Sequence, residues 1–156
     1  DDPKDAITRR HIDMTLDVMA HSLVYWTQEM VRRGFLGAGS HIFAMTSSGG
    51  HEVWATYGAV SAAKASLESH CRQLAYELSS SQIAVNAIRA GVTDTPALRK
   101  IPGHEEMIEI GEQKNPGERL TTPEDVATAI VSLSDPNNTW MTGNIIGVDG
   151  GEDIAG

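Results

Sequence analysis

Three short apolar segments, separated by long stretches that favour helix, constrain the fold of this chain more than any other feature. The segments lie at 41–46, 83–88 and 145–148, and each resembles a strand that is buried on both faces. Strands that alternate with helices indicate a parallel sheet with right-handed crossovers. We therefore expect an α/β fold that forms one compact unit. Three strands are few for so many helices, which suggests that part of the sheet lies elsewhere.

Two long helices are predicted around the first strand. Residues 5–33 contain neither glycine nor proline, and apolar side chains recur there every three or four residues, as on one face of a helix. These side chains are Leu16, Met19, Leu23, Trp26 and Met30. A second helix is predicted from about Ala55 to Leu78, because alanine is frequent in that stretch.

The second half of the chain contains one clear helix start and one irregular stretch. In Thr122-Pro123-Glu124-Asp125, threonine can cap a helix, proline suits its first turn and Asp125 completes a capping box. This helix is predicted to continue to Leu133. Residues 93–117 hold three prolines and many charges, and we expect them to form an excursion that covers a substrate.

Composition excludes several classes of function. The formal net charge of −9 argues against nucleic-acid binding, which needs clustered lysine and arginine. No segment approaches the roughly 20 apolar residues that a membrane span needs. Cys71 is the only cysteine, which excludes an intramolecular disulfide and fits a reducing compartment such as the cytoplasm. The six histidines lack the spacing of metal ligands, so no metal site is predicted.

Four segments over about residues 16–151 resemble, in order, the short-chain dehydrogenase/reductase family. They are the Ser-Ser-Gly loop that closes the strand region 41–50, the helix with Tyr57, Lys64, Ala65 and Leu67, the Val-Asn-Ala-Ile-Arg-Ala-Gly-Val-Thr-Asp-Thr segment 85–95, and the stretch from Arg119 to Gly151. The resemblance implies a Rossmann-like parallel sheet with flanking helices and a nicotinamide cofactor, NADPH or NADH. It also implies a homo-oligomer, a dimer or tetramer, that assembles through the two long helices.

The spacing of tyrosine and lysine narrows the resemblance. Most members of the family have Tyr-x3-Lys, but Val60 stands four residues before Lys64 here, and Tyr57 stands seven before it. Tyr-x6-Lys resembles the divergent enoyl-acyl-carrier-protein reductases. Positions i, i+4 and i+7 share one face of a helix. Tyr57 is therefore expected about one turn further along the same face, directed to the same cleft.

The resemblance also implies a set of site residues. Ser47 precedes Lys64 by the separation found in ordinary members, and the loop it opens is similar to that of the NADPH-preferring enoyl reductases. By this resemblance the catalytic residues are Tyr57, Lys64 and Ser47. Lys64 would also hold the nicotinamide ribose, and Gly91, Val92 and Thr95 would contact the nicotinamide carboxamide. An ordinary turn role for Ser47 remains open. The Asp149-Gly150-Gly151 segment is interpreted as structural.

Two departures from the family pattern shape the prediction. Met19 stands where ordinary members have a helix asparagine that anchors a proton-relay water, and a thioether cannot replace that amide. No Gly-x-x-x-Gly-x-Gly loop, which would hold the cofactor pyrophosphate, occurs in the sequence. We therefore expect residues 1–156 to be the C-terminal portion of a single domain, without its N-terminal dinucleotide-binding half.

The predicted function is NAD(P)H-dependent reduction of the C=C bond of 2-enoyl thioesters in fatty-acid synthesis. The substrate would be a small molecule or an acyl group on a carrier protein. Two alternatives stay open: a carbonyl or hydroxyl oxidoreductase of the same superfamily, and a catalytically silent subunit that packs against an active homologue. By itself the chain is expected to bind the whole dinucleotide weakly.

Overall fold

Three parallel strands form the sheet, in the order β1-β2-β3. The structure, a computed structural model, describes residues 6–155. The strands are β1 His41–Thr46, β2 Ala84–Ala90 and β3 Ile145–Val148, with His41 opposite Ala84 and Ala87 opposite Ile145. The predicted α/β fold with a parallel sheet is thus confirmed. All three strands lie within two residues of their predicted positions.

The first long helix is divided by a π-helical turn. Helix α1 spans Arg9–Leu16, the π turn Asp17–His21, and helix α2 Ser22–Arg32; the predicted start at Asp5 lies outside the described residues. A π turn holds more residues per turn than an α-helix, so the following residues rotate about the axis. Trp26, predicted on the inner face, is 70% exposed, and its neighbour Thr27 is buried instead. The prediction for Trp26 was therefore wrong.

Helix α3, Gly58–Leu78, packs across the sheet and supplies most of the core. Its buried side chains, with Ala20 of the π turn and three strand residues, form one cluster: Ala20, Ala44, Ala63, Leu67, Cys71, Leu74, Ala75, Val85 and Ala87. The helix begins three residues later than predicted, because Thr56 has a left-handed backbone with φ of 63°. Tyr57 is consequently the N-cap residue and not a member of the helix.

Two further helices lie in the C-terminal half of the chain. Helix α4 spans His104–Lys114 and α5 spans Pro123–Leu133. The predicted capping box at α5 is confirmed: the Asp125 amide donates to Thr122 Oγ1 over 3.2 Å, and the Thr122 amide donates to the Asp125 carboxylate over 2.9 Å. Helix α4 was not predicted, since it lies inside the segment 93–117 that we expected to be irregular.

The carboxyl ends of β1 and β2 meet at one edge of the sheet, where two loops leave it. Residues 47–57 connect β1 to α3, and residues 91–103 connect β2 to α4. Loops at this edge of a parallel sheet commonly bind ligands. In the described part of the chain, no helix is both long and apolar enough to cross a membrane.

Candidate active site

A cleft of about 490 Å³ lies between the two loops at the carboxyl edge of the sheet. The β1–α3 loop contributes Ser47, Ser48, Gly49, Trp54 and Tyr57, and the β2–α4 loop contributes Gly91, Val92, Thr93 and Thr95. Five of the six candidate residues therefore line one cavity, although 34 residues or more separate the two loops in the sequence. The sixth, Lys64, is not among the lining residues.

Ser47 brings an unused polar atom to this cleft. Its Oγ is buried and has no hydrogen-bond partner among residues 6–155. Buried hydroxyls almost always have a partner, and one without it in a cleft wall can bond a ligand. This geometry favours a ligand contact over the ordinary turn role.

Tyr57 is held in the cleft wall by Gly49. A Cβ atom added to Gly49 would overlap Tyr57 Cε1 and would lie 3.1 Å from Cδ1 and 3.4 Å from Ser47 Oγ. The ring therefore rests directly on the glycine backbone, beside the serine hydroxyl. Only glycine leaves this space free, and no pattern in the sequence predicts this requirement.

Lys64 is anchored to the backbone at the end of β1. Its Nζ donates to the Met45 carbonyl over 2.8 Å, and Met45 lines the cleft. Burial lowers the pKa of Lys64, and the negative charge of Glu68 offsets part of that effect. Glu68 is itself buried, and Thr46 Oγ1 donates to it over 2.7 Å. The Lys64 cation and the Glu68 carboxylate thus lie one helical turn apart on α3.

The β2–α4 loop is tightly fixed at Gly91 and Val92. A Cβ on Gly91 would lie 2.5 Å from Thr121 Oγ1 and 2.7 Å from Glu152 Oε2, so any larger residue would have to displace these side chains. The Val92 amide donates to both carboxylate oxygens of Glu152, over 3.0 and 3.2 Å. The Val92 N–H is therefore already bonded within the chain. Thr95 Oγ1 accepts from the Leu98 amide over 3.1 Å.

Apolar side chains form the remainder of the cleft wall. They come from the β1–α3 loop, from the segment 93–117 and from α5: Trp54, Ala97, Leu98, Ile101, Met107 and Val126. Three of the larger ones belong to the 93–117 segment, which therefore borders the cavity as expected. Such a wall suits an apolar ligand, while the hydroxyl groups are grouped near Ser47 and Tyr57.

Three potential metal ligands meet beside the cleft, but their partners are cations. His51, Glu52 and Asp153 place ligand atoms within 4.8 Å of one another. Arg89 contacts Asp153 over 2.8 Å, and Lys114 contacts Glu52 over 3.2 Å. Because each carboxylate already pairs with a cation, we interpret this cluster as an ion-pair network.

Comparison with known proteins gives consistent matches along the chain. The family profile described as enoyl-(acyl carrier protein) reductase matches residues 2–152. The NADH-dependent enoyl-[acyl-carrier-protein] reductase FabI of Enterococcus faecalis is 31% identical over 145 residues, which are 93% of this chain and 57% of that protein.

Solved structures of enoyl reductases also match this chain. The enoyl-[acyl-carrier-protein] reductase (NADH) of Aquifex aeolicus superposes with a TM-score of 0.89 at 30% identity, over 96% of this chain and 58% of that one. The Bacillus cereus enoyl-acyl carrier protein reductase, solved with NADP+ and indole naphthyridinone, gives 0.88 at 31% identity, over 96% of this chain and 57% of that one. The chain thus spans little more than half the length of the relatives it matches.

Proposed function

Because the chain belongs to the enoyl-(acyl carrier protein) reductase family of short-chain dehydrogenases/reductases, we propose that it forms the catalytic part of an enzyme that reduces the C=C bond of 2-enoyl thioesters with NADH or NADPH. The observation that carries the proposal is the cleft in which Tyr57 and the unbonded Ser47 hydroxyl adjoin an apolar wall. The acyl group would be held on a carrier protein or a small thiol in fatty-acid synthesis.

We propose that the chain corresponds to the C-terminal portion of a single reductase domain. The ordered motifs support this assignment, as does the match to about 57% of the Enterococcus relative. The glycine-rich turn that would bind the cofactor pyrophosphate does not occur in the sequence. The residues of the cleft accordingly suit the nicotinamide end of the cofactor.

The residues that would face this end of the cofactor are on helix α3 and on the β2–α4 loop. Lys64 would hold the nicotinamide ribose hydroxyls, and the loop with Gly91, Val92 and Thr95 would adjoin the carboxamide. The Val92 amide already donates to Glu152, so it is not free to bond the cofactor. The backbone of Thr93 is better suited to that contact, because within the described residues neither its N–H nor its C=O has a partner. When bound, the reduced nicotinamide supplies the hydride.

Tyr57 would act on the oxygen of the thioester. As the C=C bond is reduced, negative charge develops on this oxygen, and a hydroxyl donor placed beside it lowers the barrier. Ser47 Oγ would provide a second polar contact in the same region. The ammonium of Lys64 adds positive charge beneath the cleft. The apolar wall at Leu98, Ile101 and Met107 would receive the acyl chain and exclude water.

The first test replaces the Tyr57 hydroxyl. In the protein that contains the proposed cofactor-binding half, Tyr57→Phe should lower kcat for a 2-enoyl thioester by about 100-fold or more. The matched control is Tyr76→Phe, because Tyr76 is 82% exposed on α3. Turnover is followed by oxidation of NADH and NADPH. Near-normal turnover of Tyr57→Phe would contradict the assigned role.

The second test separates enoyl reduction from the alternatives. A panel of 2-enoyl and 3-ketoacyl thioesters distinguishes C=C from C=O reduction, and activity only on the ketones would overturn the proposal. Met19 favours the enoyl side, because it packs against the core and carries no amide to anchor a relay water. A protein that binds neither cofactor and turns over neither substrate would be a silent subunit.

We also propose that the chain self-associates through its long helices. Val18, Tyr25 and Trp26 are 63, 55 and 70% exposed on the π turn and α2, an unusual concentration of apolar surface. Sedimentation analysis of Trp26→Glu against the unchanged protein tests this interface. A monomeric unchanged protein would refute it.

A further inference from the structure

Two acidic side chains follow β3 and point back to the two loops of the cleft. Glu152 and Asp153 begin the short 3-10 turn Glu152–Ile154. Glu152 is 8% exposed, and the side chain of Asp153 is 14% exposed. Buried carboxylates are rare unless they are paired, so both need an explanation.

Glu152 fixes the backbone of the β2–α4 loop by hydrogen bonds to it. Both of its oxygens accept from the Val92 amide, over 3.0 and 3.2 Å, and Oε2 lies directly under Gly91. On the other side of the residue, the Val92 carbonyl accepts from the Thr121 amide over 3.1 Å. Val92 is therefore held by its N–H and by its C=O, and Thr93 is the next residue in the cleft wall.

Asp153 lies against the β1–α3 loop on the same side, close to His51 but without hydrogen-bond geometry at its Oδ1. Its Oδ1 lies 3.0 Å from His51 Nε2, and its Oδ2 lies 2.8 Å from Arg89 Nη2. His51 belongs to the loop that carries Ser47 and Tyr57, whereas Arg89 is on β2. One turn of chain thus connects the two loops through adjacent carboxylates.

The surroundings of Glu152 do not favour a charged side chain. Burial and, to a smaller extent, the nearby Asp149 and Glu52 raise the pKa of Glu152, against the opposite effects of the Val92 hydrogen bond and of Lys114. A neutral side chain would be easier to bury at this place. The hydrogen bonds that Glu152 accepts from the Val92 amide therefore explain a glutamate at this position better than a contribution to folding stability does.

We propose that Glu152 and Asp153 form a carboxylate clamp, a pair of positioning residues that sets the two loops of the cleft relative to each other. Glu152 orients Thr93 and Thr95 through Val92, and Asp153 orients Ser47 and Tyr57 through His51. Only the identity of the ligand between the loops rests on the proposed function. The clamp itself follows from contacts within the chain.

The test measures amide hydrogen exchange by NMR in the 156-residue chain. Glu152→Ala should accelerate exchange of the Val92 amide about tenfold, while Val85 in the centre of β2 remains unchanged. Glu152→Gln should restore protection, because an amide oxygen also accepts. Asp153→Ala should accelerate the His51 and Glu52 amides and leave Val92 unchanged. The control is Glu112→Ala, an exposed glutamate on α4.

Equal protection of Val92 in Glu152→Ala and in the unchanged chain would overturn the clamp. If Glu152→Ala does not fold, the Val92 amide shift provides a second measurement. It should titrate with pH above the ordinary range of glutamate in the unchanged chain and should not titrate in Glu152→Gln. A shift that is independent of pH in both would also refute the proposal.

A ligand measurement connects the clamp to the reaction. In the protein used for the Tyr57 test, Glu152→Ala should raise KM for NADH about tenfold, and Glu152→Gln should return it to normal. An unchanged KM in Glu152→Ala would refute positioning of the cofactor loop. If the unchanged protein reduces no enoyl thioester, the proposed function fails, and the exchange measurements still decide on the clamp.

Discussion

Replacing Gly49 by alanine should displace the Tyr57 ring while leaving the fold intact. The added Cβ would overlap Tyr57 Cε1 and would lie 3.1 Å from Cδ1. To reach an ordinary contact of roughly 3.5 Å, the ring must move by about 1 Å. The backbone itself accepts alanine, because Gly49 does not have a positive φ.

The displacement should affect turnover far more than stability. A misplacement of about 1 Å at a reacting group can lower the rate about 100-fold, equivalent to roughly 2.7 kcal/mol in the activation free energy. The ring lines a cleft and can move into it, so the free energy of unfolding should change by only about 1 kcal/mol.

The assay compares kcat for a 2-enoyl thioester with urea unfolding of the same variants. Gly37→Ala is the matched control, because Gly37 precedes the N-terminal end of β1, whereas the cleft lies at the carboxyl end, and a Cβ on Gly37 meets no atom within 4 Å. It should retain both turnover and stability. If Gly49→Ala retained full turnover, or if it lost activity only by unfolding, then Gly49 would not hold the Tyr57 ring in a position that turnover requires.

Three further outcomes follow from buried groups. Thr46→Val removes the hydrogen-bond donor to buried Glu68 and should lower the free energy of unfolding by about 1–3 kcal/mol in urea titration. The control is Ser69→Ala, because Ser69 is exposed on α3 next to Glu68. The raised pKa of Glu152 means that the folded chain holds this proton more tightly than the unfolded chain. The stability that the proton contributes is therefore complete below the unfolded-state pKa and is lost as pH rises through the folded-state pKa. Urea unfolding between about pH 4 and 8 should show less of this loss in Glu152→Gln, and the same dependence of unfolding free energy on pH in both proteins would contradict the prediction. Burial raises the pKa of the Cys71 thiol to about 11, so iodoacetamide should label it slowly at neutral pH when folded and quickly in urea, and equal rates would exclude this environment.

Elements with a local cause were predictable from the sequence. The capping box of Thr122 and Asp125 joins residues three apart, and the strands are short apolar runs. The start of α3 was misplaced because the alanine-rich, helix-favouring stretch was extended back to Ala55, whereas Thr56 takes a left-handed backbone in the loop. Helix α4 was missed because Pro102 and Gly103, just before it, indicate a loop.

The candidate site was predictable only where family motifs carried it. Ser47, Tyr57, Gly91, Val92 and Thr95 do line one cleft, and their roles remain predictions. Glu152 was missed because its partner Val92 lies 60 residues away. The Gly49 contact depends on the shape of a loop, which no periodicity reveals. Two adjacent acidic residues soon after the last strand, at positions 152 and 153, were the one indication available.

The π turn of the first long helix brings two imidazole rings together. His21, its last residue, places Nδ1 2.9 Å from Nε2 of His70 on α3. A hydrogen bond between two ring nitrogens contains one hydrogen, so one ring must donate its N–H and the other must accept at an unprotonated nitrogen. Burial, and then the neighbouring His21, lowers the pKa of His70. Once His70 is protonated, its Nε2 can only donate, so the contact then requires His21 Nδ1 as the acceptor. The packing of this helix pair at the contact thus depends on which of the two rings carries the shared hydrogen.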